Sequence, residues 1–235
     1  MGVHIIICGG DEAGRGALIG PLVVAIVSIN KSAEHKLADM GVRDSKLLSR
    51  RRRENLYDSI KGAAHDVKVG KIYPKEINEA MKAGVSLNEL EAIHFAKLFD
   101  KLSGHVSSMY LDSPDVIAEK FGVRVNMLSK KPTRIVGVSP KGDAGVKYTK
   151  LVAEHKADSR YPVVSAASII AKVERDWEID RIADEVGIDL GSGYPADAYT
   201  IGAIKENLKS EVLRRHIRQY WQTMDEIKQT RLVNF

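Results

Sequence analysis

Residues 5 to 16 read IIICGGDEAGRG, and this short stretch contains both a strand signal and a cluster of polar residues. The β-branched residues predict a buried strand from His4 to Cys8, which Gly9 and Gly10 are expected to end. A second apolar run, from Pro21 to Ile29, is rich in Val and Ile and predicts a neighbouring strand. The chain is therefore expected to begin with two adjacent buried strands.

The remaining segments alternate between strand-like and helix-like patterns. Further strands are predicted around Val67 to Ile72, Ser107 to Leu111 and Arg134 to Val138. Helical spacing of apolar residues predicts helices over Ser32–Met40, Ser49–Gly62, Pro74–Lys82, Ser86–Leu102, Ala144–Lys156, Val163–Val186, Thr200–Asn207 and Ser210–Thr223. The order predicts an α/β fold: a mixed sheet of about five strands flanked by helices, with a helical C-terminal extension.

The composition limits the class of protein. Hydrophobic residues make up 44% of the 235 residues and charged residues 29%, which excludes a disordered or fibrous chain. No apolar run approaches the roughly 18 residues that a membrane-spanning helix needs, so an integral membrane protein is excluded. We see no secretory leader and expect a cytoplasmic location. The single cysteine, Cys8, excludes an intramolecular disulfide.

Positive charge is concentrated in one segment. The net charge is only +5, but six of the eleven residues from Arg43 to Arg53 are basic and one is acidic. Such a patch is the electrostatic footprint of nucleic-acid binding. Within it, Asp44, Ser45 and Lys46 fit a phosphate-binding turn and, equally well, an ordinary polar turn before a helix.

Three positions in the chain place acidic residues beside predicted sheet or helix ends. Asp11 and Glu12 follow the first strand, and burying two adjacent carboxylates is unfavourable unless a cation or hydrogen bonds stabilise them. Asp112 follows a later strand, and Asp158 precedes a helix. Each has an ordinary alternative, as a solvated strand end, a loop cap or a turn residue. The functional alternative is a site for a hard cation such as Mg²⁺, which prefers oxygen ligands.

Other residues have the character of a phosphate or ligand contact. The glycines around Arg15, Gly14 and Gly16, allow backbone N–H groups to approach a ligand closely. Ser168, Lys172 and Arg175 are spaced by four and three and so share one face of a helix. A hydroxyl and two cations in a row suit a phosphate backbone, although a solvated helical face has the same pattern.

Taken together, these segments resemble ribonuclease HII, the type 2 ribonuclease H family. The similarity extends over about residues 5 to 220. The blocks that carry it, in the order of the family, are Asp11 to Gly16, Asp44 to Lys46, Asp112 with Ser113, His155 to Asp158, Tyr161 with Pro162, Ser165 to Lys172, and Gly191 to Pro195.

The resemblance implies a fold, a reaction and a metal site. It implies a ribonuclease H-like catalytic domain over residues 1–186, a helical C-terminal part over 187–228 and a tail over 229–235. The family's four catalytic carboxylates correspond to Asp11, Glu12, Asp112 and Asp158, which would bind two divalent ions, Mg²⁺ or Mn²⁺, with the first carboxylate bridging the pair. The expected activity is hydrolysis of the RNA strand of RNA·DNA hybrids and incision 5′ of single ribonucleotides in duplex DNA, giving 3′-hydroxyl and 5′-phosphate ends.

The resemblance also implies substrate contacts. Gly14, Arg15 and Gly16 correspond to the loop that reads the 2′-hydroxyl, and Tyr194 to a ring that stacks on the sugar of the next deoxynucleotide. Phosphate contacts are implied for Lys46, Ser168, Lys172 and Arg175. The expected partners are RNA·DNA hybrids and ribonucleotide-containing duplex DNA, bound by a monomer.

The C-terminal residues fit a second motif. Gln229, Leu232 and Phe235 match a sliding-clamp-binding pattern, in which a glutamine is followed by an aliphatic and then an aromatic anchor. The usual pattern ends in two aromatic residues, whereas this chain has one. Because Gln229, Leu232 and Phe235 match the rest of the pattern, we expect a sliding clamp as a further partner.

Two other functions fit part of the sequence. A hybrid-binding or clamp-tethered adaptor without catalytic activity would not need the complete set of four acids, because acids near phosphates repel them unless metals intervene. Another ribonuclease H-like nuclease, such as a junction resolvase, would leave the Gly14 to Gly16 loop and Tyr194 unexplained.

Overall fold

A computed structural model describes residues 5–42, 48–135 and 147–232, with side chains described as far as residue 229. Its sheet has the strand order β3-β2-β1-β4-β6-β5. The strands are β1 (Ile6–Ala13), β2 (Leu22–Asn30), β3 (Asp66–Ile72), β4 (Ser108–Asp112), β5 (Thr133–Ile135) and β6 (Thr149–Glu154). Strand β4 pairs in parallel with β1 and with β6, and β6 pairs in parallel with β5. The predicted α/β fold with a mixed sheet is confirmed, with six strands instead of about five.

The sixth strand corrects a wrong prediction. We expected a helix over Ala144–Lys156, but residues Thr149–Glu154 form β6. Thr149, Leu151 and Ala153 are buried, whereas Lys150 between them is exposed. This two-residue alternation is the mark of a strand. The segment is too short for its periodicity to be decisive, and its place between β4 and β5 determines its conformation.

Strand β1 is also longer than predicted, because Gly9 and Gly10 lie inside it. A Cβ on Gly9 would lie 2.5 Å from backbone atoms of Val163 and Val164, and one on Gly10 would lie 2.6 Å from Leu111. The glycines therefore permit close packing against the strand, as glycines inside strands often do. As a result β1 continues through Asp11 and Glu12.

Apart from the segment that forms β6, the predicted helices occur in the predicted order, but two helices were not predicted and the last predicted helix is divided. They are α1 (Glu34–Asp39), α2 (Arg50–Ala63), α3 (Pro74–Lys82), α4 (Leu87–Asp100), α5 (Ala118–Leu128), α6 (Ala157–Arg160), α7 (Pro162–Val186), α8 (Ala198–Glu206), α9 (Glu211–Arg215) and α10 (Gln222–Leu232). Helices α5 and α6 were not predicted, and the single helix expected over Ser210–Thr223 is wrong, because α9 and α10 are separate helices there. The predicted cap of α2 is present, since Ser49 Oγ accepts a hydrogen bond from the N–H of Arg52.

The chain divides into two compact units. The first contains residues 1–12, 24–70 and 88–173, and the second contains residues 13–23, 71–87 and 174–235. The core of the first unit includes Phe95 and Phe121, whose rings meet edge to face with centroids 5.8 Å apart. Strands β1, β2 and β3 and helix α7 each contribute residues to both units. The domain boundaries expected at residues 186 and 228 stay predictions.

The second unit has its own apolar core. Its buried residues are Leu18, Ile19, Ile179, Ile182, Leu190, Ala203, Ile204, Leu213, Ile217, Met224 and Ile227. They come from the segment after β1, the second half of α7, the three last helices and the segments that connect these helices. The helical C-terminal part is therefore confirmed as helices that bury an apolar face.

Within the three described ranges, no helix combines the length and apolar character that crossing a membrane requires.

Candidate active site

Asp11 and Asp112 occupy corresponding positions on two neighbouring strands. Strands β1 and β4 are parallel, and Gly10 pairs with Leu111. Asp11 directly follows Gly10 and Asp112 directly follows Leu111, so the two aspartates come next to each other on neighbouring strands. Asp11 is only 5% exposed, and its Oδ1 accepts a hydrogen bond from the N–H of Glu12 at 2.8 Å. The sheet thus brings together two carboxylates that are about 100 residues apart in sequence.

The electrostatics of Asp11 are those of a buried acid beside another acid. Its pKa is raised to about 7, mainly because burial penalises the charged form and also because Asp112 is negative. A hydrogen bond from Ser168, the N–H of Glu12 and the positive charge of Lys172 lower the pKa and partly oppose these effects. Lys172 Nζ in turn donates to Ser168 Oγ at 3.1 Å. Ser168 and Lys172 therefore do share a helical face, as predicted, and both act on Asp11.

Asp112 is connected to the segment that carries Asp158. The N–H of Ala157, the first residue of α6, donates to Asp112 Oδ1 at 2.8 Å. Asp158 is the next residue and is 5% exposed. The residue before α6, Lys156, has a φ of +56°, a left-handed conformation that is uncommon for residues other than glycine.

The loop after β4 is fixed by a buried aspartate that the sequence analysis missed. Asp115 is 5% exposed, accepts a hydrogen bond from Asn88 of α4 and forms an ion pair with Arg124 of α5 at 2.7 Å. Its own N–H donates to Ser113 Oγ. An Asp-Ser-Pro-Asp sequence after a strand was a signal for such a loop, but the partner Asn88 lies 27 residues earlier in the chain and leaves no local signal. Asp115 thus holds the residues that directly follow Asp112.

The four predicted carboxylates all belong to the first unit. They fit a divalent cation chemically, because they offer only oxygen ligands and because a cation would stabilise the charge on desolvated Asp11 beside Asp112. As the side chains lie, however, no three His, Cys, Asp or Glu residues in the described part of the chain form a group that could hold a metal ion. Metal coordination by these acids therefore stays a prediction.

The predicted 2′-hydroxyl loop and Tyr194 both lie in the second unit. Gly14 has a φ of +87°, and a Cβ there would lie 2.8 Å from Arg175 Cδ and Nε. Arg175 lies with its guanidinium carbon 4.3 Å from the centre of the Tyr194 ring. Arg175 thus lies next to both Gly14 and Tyr194. Burial lowers the pKa of Arg175.

Arg218 holds the same loop and was not identified from the sequence. Its side chain is fully buried, Nη1 donates to the carbonyl of Arg15 at 2.9 Å, and Nε donates to the carbonyl of Gly20 at 3.0 Å. It lies 203 positions after Arg15 and belongs to none of the motif blocks. One residue of the C-terminal part therefore fixes the backbone of the glycine-containing loop.

Several predicted site residues cannot be placed in this arrangement. Asp44, Ser45 and Lys46, with Phe235, lie outside the described residues. Gln229 is exposed on α10, and Leu232 is the last residue of that helix.

Comparison with known proteins identifies the family. The family model for ribonuclease HII matches residues 8–224. A ribonuclease HII from Archaeoglobus fulgidus is 40% identical over 225 residues, which cover 96% of this chain and 98% of that protein. The crystal structure of ribonuclease H2 from Pyrococcus horikoshii OT3 superposes with a TM-score of 0.81 and 36% identity, covering 96% of this chain and 98% of that one.

A second solved structure is that of an A. fulgidus complex of PCNA with ribonuclease HII. It matches with a TM-score of 0.77 and 38% identity, covering 93% of this chain and 96% of that one. The matched family model, the identities and the coverage all agree with the resemblance seen in the motif blocks. The chain therefore belongs to the ribonuclease HII family and is a metal-dependent ribonuclease H.

Proposed function

We propose that this ribonuclease H cuts the RNA strand of RNA·DNA hybrids and also incises 5′ of single ribonucleotides embedded in duplex DNA, leaving 3′-hydroxyl and 5′-phosphate ends. Family membership gives the activity on hybrids and the dependence on divalent metal. The observation that supports a hydrolytic site at the sheet is the pair of buried Asp11 and partly exposed Asp112 on adjacent strands, with Asp112 hydrogen-bonded to the helix that carries Asp158.

Asp11, Glu12, Asp112 and Asp158 are the proposed ligands of two Mg²⁺ or Mn²⁺ ions. Bound metal would lower the pKa of the attacking water and would stabilise the leaving 3′ oxygen during in-line displacement at phosphorus. The residues of the chain fix the ligands. The N–H of Glu12 and the Ser168 hydroxyl bond to the Asp11 carboxyl, and the N–H of Ala157 orients that of Asp112.

Substrate recognition is proposed for the second unit. The 2′-hydroxyl is the only group that offers both a donor and an acceptor to distinguish ribose from deoxyribose at one position. The backbone from Gly14 to Gly16 would read this hydroxyl, and the half-buried ring of Tyr194 would stack on the sugar that follows. In the first unit, Ser168 and Lys172 are the proposed phosphate contacts, together with Lys46 and its neighbours in sequence, Asp44 and Ser45.

Three 5′-labelled duplexes test this proposal: one with a single ribonucleotide, one RNA·DNA hybrid and one of DNA alone, each with Mg²⁺ or Mn²⁺. We expect incision 5′ of the ribonucleotide, multiple cuts in the hybrid and no cleavage of the DNA. Cleavage of the hybrid alone would reject the part of the proposal that concerns single ribonucleotides. Binding of the first two duplexes without cleavage would favour the adaptor.

We also propose that the C-terminal segment binds a sliding clamp. The A. fulgidus relative was solved in complex with PCNA, and Gln229 of this chain is exposed on α10. Truncation after Lys228 retains Met224 and Ile227, which are buried in the core of the second unit. Calorimetric titration with a PCNA-type clamp should show binding by the full chain and none by the truncated chain, while both incise short duplexes. Equal clamp affinity of the two chains would reject this proposal.

A further inference from the structure

Arg175 is a buried cation with an unusual set of neighbours. It lies on α7, is 4% exposed, and its Nη2 donates to the carbonyl of Ser192 at 2.6 Å. Its guanidinium lies over the ring of Tyr194, with 4.3 Å between the guanidinium carbon and the ring centre. A desolvated cation over an aromatic face is a favourable contact that fixes the position of the ring.

Two glycines make room for this arginine. A Cβ on Gly14 would lie 2.8 Å from Arg175 Cδ and Nε, and a Cβ on Gly193 would lie 2.9 Å from Nη2. Both glycines also have positive φ angles, +87° and +77°. The two loops are joined directly as well, because the N–H of Leu18 donates to the carbonyl of Gly193 at 2.8 Å. Arg175 is therefore packed between the loop that begins at Gly14 and the loop that carries Tyr194.

This packing leaves the guanidinium little surface for a phosphate. We propose instead that Arg175 is a positioning residue for junction recognition: it fixes the Tyr194 ring relative to the Gly14 to Gly16 loop, so that ribose and the following deoxyribose are read at a set spacing. The inference rests on the proposed function of that loop and of Tyr194. A lysine cannot replace the planar group, because its ammonium is a point charge without a flat face.

A double-mutant cycle measures this coupling. The proteins are the wild type, Arg175→Met, Tyr194→Leu and the double variant, with Arg181→Met as a matched control, because Arg181 is an exposed cation on the same helix. For each, kcat and KM are measured on a duplex with a single ribonucleotide and on a long RNA·DNA hybrid. Loss of a desolvated cation–π contact should lower kcat/KM of Arg175→Met on the single-ribonucleotide duplex about tenfold, through kcat.

The cycle has further expected results. On the long hybrid, which has no junction, the decrease should be smaller, and Arg175→Met should add nothing once Tyr194 is replaced. The control should retain wild-type selectivity. Equal losses on both substrates, or independent effects of the two substitutions with a weaker salt dependence, would identify Arg175 as a phosphate contact and overturn the inference.

Folding is checked by thermal unfolding of every variant. Should Arg175→Met fail to fold, Arg175→Lys retains the charge and much of the volume; it should also lose selectivity, and wild-type selectivity would overturn the inference. A wild type that does not incise the single-ribonucleotide duplex refutes the proposed function itself. A wild type that incises it with a selectivity that Arg175→Met retains refutes only the role of Arg175.

Discussion

Ala157 donates its backbone N–H to Oδ1 of Asp112 across 2.8 Å. The bond connects the last residue of β4 with the first residue of α6, directly before Asp158. The bond thus orients the Asp112 carboxylate and ties it to the segment that carries Asp158. The conformation of Lys156, which precedes Ala157, sets the direction in which this helix begins.

The protein should be more stable with glycine than with alanine at position 156. Both substitutions remove an exposed side chain, but only glycine adopts a φ of +56° without a steric penalty. Glycine avoids a left-handed backbone penalty of roughly 1–2 kcal/mol, but its greater freedom in the unfolded chain costs about 0.5–1 kcal/mol. The free energy of unfolding of Lys156→Gly should therefore exceed that of Lys156→Ala by roughly 0.5–1 kcal/mol. Urea denaturation of Lys156→Gly and Lys156→Ala measures it. A more stable alanine variant would show that the backbone here is not strained.

Gly14 and Gly16 should respond differently to alanine. A methyl group on Gly14 would lie 2.8 Å from Arg175 and from the carbonyl oxygen of Pro21, whereas one on Gly16 would meet nothing within 4 Å. We expect Gly14→Ala to reduce the free energy of unfolding by about 1–3 kcal/mol and Gly16→Ala to change it by less than about 0.5 kcal/mol. Chemical denaturation of both variants compares them, and equal stability would contradict the packing described around Arg175.

Arg218 should matter far more for stability than its neighbour Arg214. Arg218→Met leaves the carbonyls of Arg15 and Gly20 without the hydrogen bonds they now accept, which should lower the free energy of unfolding by about 2–4 kcal/mol. Arg214 is exposed, so Arg214→Met should change it by less than about 0.5 kcal/mol. Thermal unfolding in the same buffer measures both. Similar melting temperatures would show that Arg218 does not hold the loop.

Metal binding should become more stabilising as the pH rises. The pKa of Asp11 is raised from 3.8 to about 7 by burial and by Asp112, so its contribution to stability in metal-free protein is fully present below pH 3.8. That contribution is lost as the pH rises to about 7, where Asp11 becomes a buried anion. We expect this loss to lower the metal-free melting temperature of the wild type relative to Asp11→Asn over this range, and the increase on adding Mn²⁺ to the wild type to be larger at pH 8 than at pH 6.

Asp11→Asn is the control for this pH dependence. The variant has no carboxyl at this position, so its metal-free melting temperature should fall less between pH 5 and pH 8. An identical pH profile for the two proteins would show that Asp11 does not titrate in this range.

The sequence allowed prediction of those features that depend on local pattern. The run of Ile and Val in β2 and the serine cap of α2 determine these elements locally, and the four acids were identified because their motif blocks occur together. Strand β6 was mistaken for a helix because six residues between two strands take their conformation from their neighbours. Arg218 was missed for a related reason, since its partners are about 200 residues away and leave no local signal.

The central claim is that the acids beside Asp11 perform metal-dependent incision at a ribonucleotide. Asp112→Asn tests it directly, because the amide oxygen still accepts the hydrogen bond from Ala157 while the charge is removed. Single-turnover incision of a duplex with one ribonucleotide is measured with Mg²⁺ and with Mn²⁺, for wild type and variant. We predict a 3′-hydroxyl product from the wild type and none from a folded variant that still binds the duplex. Incision by Asp112→Asn at the wild-type rate would contradict the account.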